Sequence, residues 1–493
     1  MIPRHVRKLL HISRWKEEEA YISFQLVSQW AACHLHSMYA YRKRFWSCSM
    51  FTAVNDYCHE YLPYAETQRM LAFVFRQFVK NRRYLQKPGF VLVNRQIGSF
   101  FVRVRDGDVR SYTDAQLKDG LLAFSSLGNR MYGYGIISEC LDVLEDADYA
   151  KRLIHVPAAQ RAHVLSALTT PTAWTVFQRE KLSLLLIARE AARRGFGASA
   201  RKMLQQHAQE YFWMQNDFRQ AVYLDEGYFR EEAAKIVAQG APSIAREIAL
   251  LEGKGERIAR EQHALQKRYR LTAEDILFFQ MVRELASIQD KRKENVQKLV
   301  FCLDRILLEI GKRRRVPRKE LNDYTAAEMM SLMDRRERIA RPELRKRKNL
   351  VLLNRVAGRA IRTEYFFGED ARQIISLLEA QKKHGDALQG FVASPGRLGK
   401  RITGRVRVVF DPLKEAFQKG EILVTGMTRP EFVPLMKKAR AIITNEGGIT
   451  THAAVVSREL GVACIIGTRQ ATKMLRTGDR VVLDMEKGTV KKA

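Results

Sequence analysis

The sequence predicts a mainly α-helical region followed by a compact C-terminal α/β domain, and three observations carry that reading. From about residue 20 to about residue 385, apolar residues recur mostly at helical spacing with few prolines. Leu388–Gly399 (LQGFVASPGRLG) then places three glycines around Ser394-Pro395, residues that punctuate helices and permit sharp backbone changes. Beyond it, short β-branched runs alternate with short helical ones, the pattern of a small α/β unit. The expected organisation is therefore a helical region over 1–387, a hinge linker at 388–399 and a compact domain over 400–493.

At 493 residues, the chain can bury the cores of two to four domains. A hydrophobic content of 46% and a charged content of 28% are ordinary for globular proteins. The net charge of +31 is not, and it points to an anionic partner: a nucleotide, a phosphorylated protein, nucleic acid or an acidic membrane face. Six cysteines lie scattered without CxxC pairs, which fits a reducing cytoplasm better than a disulfide scaffold. Cys33, His34, His36, Cys58 and His59 lack the short-spaced ligand pairs of a zinc site, so no metal site is expected. The basic N-terminus has no apolar core of signal-peptide length. The longest apolar runs, such as Leu182–Ala188, fall far short of the ~20 residues a membrane span needs, and a soluble cytoplasmic protein is expected.

Taken in order, residues 20–85 read as two or three helices whose aromatic stripe forms core. Phe90–Arg110 (FVLVNRQIGSFFVRVRDGDVR) reads as a small β-hairpin or two strands, because valine and phenylalanine dominate it. From Tyr112 to about Gly385 the reading is helical again, with breaks near Pro157, Pro171, Gly195–Gly197, Gly240–Pro242, Pro317 and Pro342. Within it, His207, Tyr211 and Phe218 fall at i, i+4 and i+11, roughly one helix face. Such a face suits an acceptor-binding site, with His207 as a base toward a hydroxyl, and it equally suits a buried interhelical network. Two basic runs follow, Lys312–Lys319 (KRRRVPRK) and Arg335–Lys348 (RRERIARPELRKRK). Without interleaved aromatics to stack on bases, a solvated helix face is favoured over a nucleic-acid surface.

The C-terminal domain starts with the strand-like Ile402–Phe410 and Glu421–Thr425, then a helix over Pro430–Ala439. A strand at Ala441–Thr444 breaks at Gly447–Gly448, and a helix over His452–Leu460 is closed by Gly461. Strands at Ala463–Gly467 and Arg480–Asp484 complete it. His452 thus stands where a glycine turn meets a helix start, where free backbone N–H groups and the helix dipole favour an anion. Gly447 and Gly448 let amides converge on phosphate oxygens, and neutral imidazole, with an ordinary pKa of about 6.5, is a nucleophile near neutrality. Thr450 and Thr451 have hydroxyls for the same oxygens or for capping the helix.

The run Gly447-Gly448-Ile449-Thr450-Thr451-His452-Ala453-Ala454-Val455-Val456, with Arg458-Glu459-Leu460-Gly461 following, closely resembles the signature of the phosphohistidine swivelling domain of the PEP-utilising enzymes. That family includes PEP synthase, pyruvate phosphate dikinase and rifampicin phosphotransferase. The lead-in ILVTGMTRPEFVPLMKKARAIIT, with Thr428 and Pro430, is similar too. Arg429 stands where an acidic residue is common, and Ala463-Cys464 replaces a usual Pro-Ala. The resemblance implies that His452 is the phosphorylated residue, that Gly447, Gly448, Thr450 and Thr451 bind phosphate, and that 388–399 is the swivel. A weaker resemblance, at His207 and Tyr211, is to acceptor-binding helical domains of the rifampicin-phosphotransferase type.

Full-length relatives load the histidine from an ATP-grasp domain, and some add a PEP-binding barrel. No GxxxxGK[ST] loop and no succession of strands and helices long enough for such a barrel is found, and Lys254 in GKGERIARE lacks the strand–turn–helix context of a nucleotide site. The expectation is a phosphotransferase component that binds no cofactor of its own. A separate ATP-grasp subunit using ATP and Mg2+ would load His452, and the helical region would hold a small-molecule acceptor. Arg405, Arg407 and Arg458 are candidates to supply charge. The alternative is a non-catalytic module that docks nucleic acid or an acidic partner through its basic surface; no membrane partner is expected.

Overall fold

The computed structural model describes the chain apart from residues 1–2, 11, 13–14, 22–45, 56, 145, 217–219, 359, 381–387, 413–414, 429 and 448–450. The helical region is assembled around one element. In chain order its principal helices are α1 (Tyr64–Lys80), α2 (Pro88–Asp106), α3 (Asp114–Gly135), α4 (Val176–Arg194), α5 (Ala198–Tyr211), α6 (Glu226–Val237), α7 (Lys254–Arg268), α8 (Ala273–Arg314) and α9 (Gly368–Ala380). Helix α8 runs for 42 residues, roughly 60 Å, and is buried on nearly every side from Phe278 to Arg314. A reciprocal cap between Thr272 and Asp275 starts it, and Arg315 in the left-handed conformation ends it. Helices α2 and α3 pack along it, and Gly120 of α3 admits Ile306, whose Cδ1 would lie 2.7 Å from any added Cβ.

The segment 90–110, expected as a small β-hairpin or two strands, is helical: α2 runs through Asp106, and a short 3-10 turn follows at Val109–Ser111. Its buried residues Val93, Ile97, Phe100, Phe101 and Val104 follow the helical period, and burial against α8 outweighs the β propensity of its valines. The N-terminal helices expected over 20–85 are in part a sheet. Strands β1 (Trp15–Tyr21), β2 (Cys48–Val54) and β3 (Tyr57–Pro63) precede α1, and residues 22–45 lie outside the described residues. Asn55, at φ 51°, forms the tight turn between β2 and β3. Strand β2 pairs with β4 (Asn349–Ala357), which turns into β5 (Ala360–Phe367), giving an antiparallel sheet of order β1-β3-β2-β4-β5. Helix α9 packs on β4 and β5, burying Ala371, Ile374 and Leu378.

The C-terminal unit is an eight-stranded sheet. Its strands are β6 (Leu388–Gln389), β7 (Phe391–Ser394), β8 (Arg401–Val408), β9 (Ile422–Thr425), β10 (Ala441–Thr444), β11 (Ala463–Ile466), β12 (Arg480–Asp484) and β13 (Thr489–Lys492). The order is β6-β13-β12-β8-β9-β10-β11-β7, with β8 to β11 parallel. Helix α10 (His452–Leu460) connects β10 to β11. The stretch 388–399 differs from the expected linker, because β6 and β7 form the two edges of this sheet. Its glycines serve close approach: a Cβ on Gly390 would lie 2.4 Å from the Ile466 carbonyl oxygen, and one on Gly396 2.5 Å from the Ala463 nitrogen.

Both basic runs are tied into the helical region. Arg313 and Arg314 bind Asp114, and Arg318 binds Asp304. Arg347 forks onto Glu328 with two bonds of 2.7 Å, and Lys348 pairs with Asp323. These residues staple the loops around the end of α8. Among the described residues, no helix is long and apolar enough to cross a membrane.

Candidate functional site at the start of helix α10

Helix α10 begins where β10 leaves the sheet, at the carboxyl end of parallel strands, the usual location of ligand sites in open α/β sheets. A Cβ on Gly447 would lie 2.4 Å from the Gly467 nitrogen, so only glycine lets the exits of β10 and β11 meet there. Thr451 takes the N-cap conformation (φ −64°, ψ 161°) without a side-chain cap bond, and its buried Oγ1 has no hydrogen-bond partner among the described residues. Gly461, at φ 66°, closes the helix. Gly448, Thr450 and Arg429 lie outside the described residues.

His452 is the first residue of α10 and is 7% exposed. Its Nδ1 is 2.9 Å from Thr428 Oγ1, and its ring meets Phe177 of α4 edge-on at 5.4 Å. Ala453, Ala454 and Val456 bury the inner face of α10 in a cluster shared with Phe278, Leu285 and Ala286 of α8. The domain is thus docked on the helical region through apolar contacts. A polar clasp flanks them: Gln178 Nε2 donates to Glu459 Oε1 at 2.6 Å, Lys254 of α7 reaches it at 3.5 Å, and Arg458 donates to the Ala393 carbonyl and Thr170. Burial lowers the pKa of Lys254 and brings that of Arg458 down to about 10.

Between α4, α8 and α10 lies a cavity of about 140 Å3. Trp174, Phe177, Val455 and Val456 supply apolar wall, and Arg179, Asp290, Lys291, Lys293 and Glu294 bring charge to the same space as His452. Glu294 is gripped by Lys298 at 2.7 Å, Lys291 at 2.9 Å and Arg179 at 3.0 Å. Burial alone would push its carboxyl up, but the Lys298 and Lys291 ammonium groups outweigh that and hold it at about 2. Asp290 behaves oppositely: burial, reinforced by the charges of Glu294 and Glu459, pushes it up to about 7.

The other expected site residues fall elsewhere. His207 and Tyr211 are buried on α5, where His207 Nδ1 is 2.8 Å from Ser183 Oγ and Nε2 is 3.5 Å from Glu180. The His207 ring packs on Tyr211 and Phe229, and burial pushes the Tyr211 hydroxyl up. Neither is among the residues that line the His452 cavity, and both stand in contacts between α4, α5 and α6; Phe218 lies outside the described residues. Arg407 is paired with Glu421, and neither it nor Arg405 lines the cavity. Sequence reasoning missed Phe177, Arg179, Asp290 and Glu294. The available signal was DKRKE at Asp290–Glu294, five consecutive charges inside a helix that otherwise buries its length.

Comparison with known proteins agrees on the C-terminal domain. Residues 417–488, which include His452, match the family described as PEP-utilising enzyme, mobile domain. Over 106 residues the chain is 53% identical to phosphoenolpyruvate synthase of Pyrococcus furiosus, covering 21% of this chain and 12% of that protein. It is 53% identical over 91 residues to phosphoenolpyruvate synthase of Aquifex aeolicus, 18% of this chain and 10% of that protein. To a probable phosphoenolpyruvate synthase of Staphylothermus marinus it is 49% identical over 122 residues, 24% and 14% of the two chains. The match thus spans no more than 14% of the length of these curated relatives.

Proposed function

We propose that this chain is a phosphotransferase component that carries a phosphoryl group on His452. In this reading a separate ATP-grasp subunit, holding ATP and Mg2+, loads the histidine, and a small-molecule acceptor in the cavity between α4, α8 and α10 receives the group. One observation carries the reading: His452 opens a helix, is held through Nδ1 by Thr428, and shares its cavity with Arg179, Lys291 and Lys293. The match to the mobile domain of PEP-utilising enzymes supports it.

In the tautomer whose Nδ1–H donates to Thr428 Oγ1, the reactive lone pair sits on Nε2. In loading, Nε2 bonds to phosphorus as the donor's P–O bond breaks. In delivery, the N–P bond breaks as an acceptor oxygen bonds to phosphorus, and the hydroxyl proton leaves to a base. Charge is spread over the phosphoryl oxygens in both steps, so positioning and preorganised donors do most of the work. The first amides of α10, the Thr451 hydroxyl and the cavity's cations are the donors at hand. Since His452 is 7% exposed, loading by a partner requires α10 to leave α4 and α8, and delivery requires it to return.

The test is intact mass under alkaline conditions after incubation with ATP and Mg2+ or with PEP, each with and without cell extract. One acid-labile phosphate that depends on extract and is absent from His452→Ala is the expected result. No label under any of these conditions would remove the carrier role.

A further inference from the structure

A recess of about 20 Å3 adjoins the cavity beside His452, and the two share Phe177, Asp290, Lys293, Glu294 and His452 as wall. The rest of the recess is apolar, from Val176, Trp213 and Met214, except for Gln297 of α8. Asp290, Lys293, Glu294 and Gln297 fall at i, i+3, i+4 and i+7, so one face of α8 runs from the cavity into the recess. Gln297 is 2% exposed, and its buried Oε1 has no hydrogen-bond partner among the described residues. Nearby donors are turned to other acceptors. Trp213 Nε1 donates to the Glu210 carbonyl at 2.7 Å, and Asn216 Nδ2 donates to the backbone carbonyl of Gln297 at 3.0 Å. The Lys298 ammonium is held by Glu294 at 2.7 Å. A buried amide oxygen without a donor is costly, and native structures keep few of them. This one lines a space with room for about one water-sized group.

We infer that Gln297 selects the acceptor: its Oε1 takes a hydrogen bond from a second hydroxyl of the molecule that receives the phosphoryl group, so the acceptor is a diol or polyol. The inference rests on the phosphocarrier reading above and deepens it. One hydroxyl meets the phosphoryl group in the larger cavity, and the other enters the recess, whose size is that of a single hydroxyl. An ammonium fits the recess less well, because Lys293 borders it and Glu294 is already committed to three cations. Discrimination follows from desolvation. A methyl group or an ether oxygen in the recess shields Oε1 from water and offers it no donor, whereas a hydroxyl supplies one. The difference should amount to about 10- to 100-fold in affinity. Gln297 thus acts on binding and not on the reacting atoms, and its effect belongs in KM.

Four matched alcohols test it on the full chain: propane-1,3-diol, 3-aminopropan-1-ol, 3-methoxypropan-1-ol and butan-1-ol. Each has one hydroxyl for the phosphoryl group, and they end in a hydroxyl, an ammonium, an ether and a methyl group. In calorimetric titration of the unphosphorylated chain, the diol should bind at least about 10-fold more tightly than the other three. Gln297→Met keeps the length of the side chain and removes the acceptor, so it should lose that preference. His452 is then loaded chemically with potassium phosphoramidate, and its discharge to each alcohol is followed by mass. The wild-type chain should favour the diol by the same factor, in KM and not in kcat, and Gln297→Met should not. Equal affinity for all four in the wild-type chain would mean that water alone fills the recess, and would overturn the assignment. The same preference in Gln297→Met would overturn it too, and tighter binding of the amine would overturn the choice of a hydroxyl. A chain that cannot be loaded would remove the carrier role, and the wild-type titration would then decide Gln297 by itself.

Discussion

Two buried histidines, His452 on α10 and His207 on α5, have nearly the same immediate surroundings. Each engages a hydroxyl through Nδ1, Thr428 at 2.9 Å in one case and Ser183 at 2.8 Å in the other. Each touches an aromatic ring edge-on, Phe177 at 5.4 Å or Phe229 at 4.5 Å. They differ in what else shares their space. His207 stands between α4, α5 and α6, with the Glu180 carboxylate 3.5 Å from Nε2 and the Tyr211 and Phe229 rings packed on it. His452 borders a cavity whose charges come from a different part of the chain, more than 150 residues earlier in the sequence. A buried, hydroxyl-held imidazole is therefore not a sign of chemistry in itself; the cavity and its surplus cations are what separate the two.

The comparison breaks most sharply by deletion. His452→Ala should abolish phosphate carriage, measured by intact mass, with little loss of fold stability. His207→Ala should do the reverse: normal labelling at His452, and a loss of about 2–4 kcal/mol in urea unfolding, from the cavity and the unpartnered Ser183 and Glu180 it leaves. If His207→Ala loses labelling while staying folded, the two sites are coupled and His207 has more than a packing role.

The carboxylates next to His452 sharpen it further, because their pH dependences have opposite signs. Glu294 falls from an ordinary 4.5 to about 2 on folding. Its ion pairs then contribute about 3 kcal/mol that is present above pH 4.5 and lost as pH falls toward 2. Glu294→Gln should cost about that much at pH 7 and almost nothing near pH 2, read from denaturant unfolding at each pH. Asp290 rises from an ordinary 3.8 to about 7, so the folded chain holds this proton more tightly than the unfolded one. Wild-type stability should therefore fall as pH climbs through 4 to 7, and Asp290→Asn should escape that fall. The variant should match wild type near pH 4 and exceed it by about 2 kcal/mol at pH 8, a value reduced from the full shift because Asp290 is only half-buried.

How much of this was legible follows from the range of the interactions. The C-terminal domain is local in sequence. Four-residue apolar strands such as Ala441–Thr444 and Ala463–Ile466 alternate with glycine-bounded turns, and the helix at His452–Leu460 stands where its cap and Gly461 imply. The five-stranded sheet is the opposite case, since Met50 pairs with Leu353 and Phe51 with Leu352 across some 300 residues. No local pattern announces such pairing. Helix α2 was misread because valine and phenylalanine favour strands until a neighbour such as α8 gives the helical face somewhere to go. The candidate site divides along the same line: His452 is readable from its own motif, whereas Asp290 and Glu294 acquire meaning only when α8 faces α10.

The smallest effect concerns the clasp that holds the two regions together. Lys254 was dismissed at the level of sequence for want of a nucleotide-binding loop, yet it begins α7 by reaching Glu459 at 3.5 Å across the docked face. Both side chains are mostly covered, at 20% and 18% exposure, so the pair avoids full screening but still carries a desolvation cost that lowers the Lys254 pKa. Its net value should be about 0.5–1 kcal/mol. Lys254→Met keeps the stem and removes the charge, so the amides of His452–Leu460 should exchange about two- to five-fold faster while those of α8 are unchanged. If loading is limited by departure of α10 from α4 and α8, labelling should accelerate by the same factor. Faster exchange without faster labelling would mean that the partner, not the undocking, sets the rate. Unchanged exchange would mean that the apolar contacts of Ala453, Ala454 and Val456 hold the docked state by themselves.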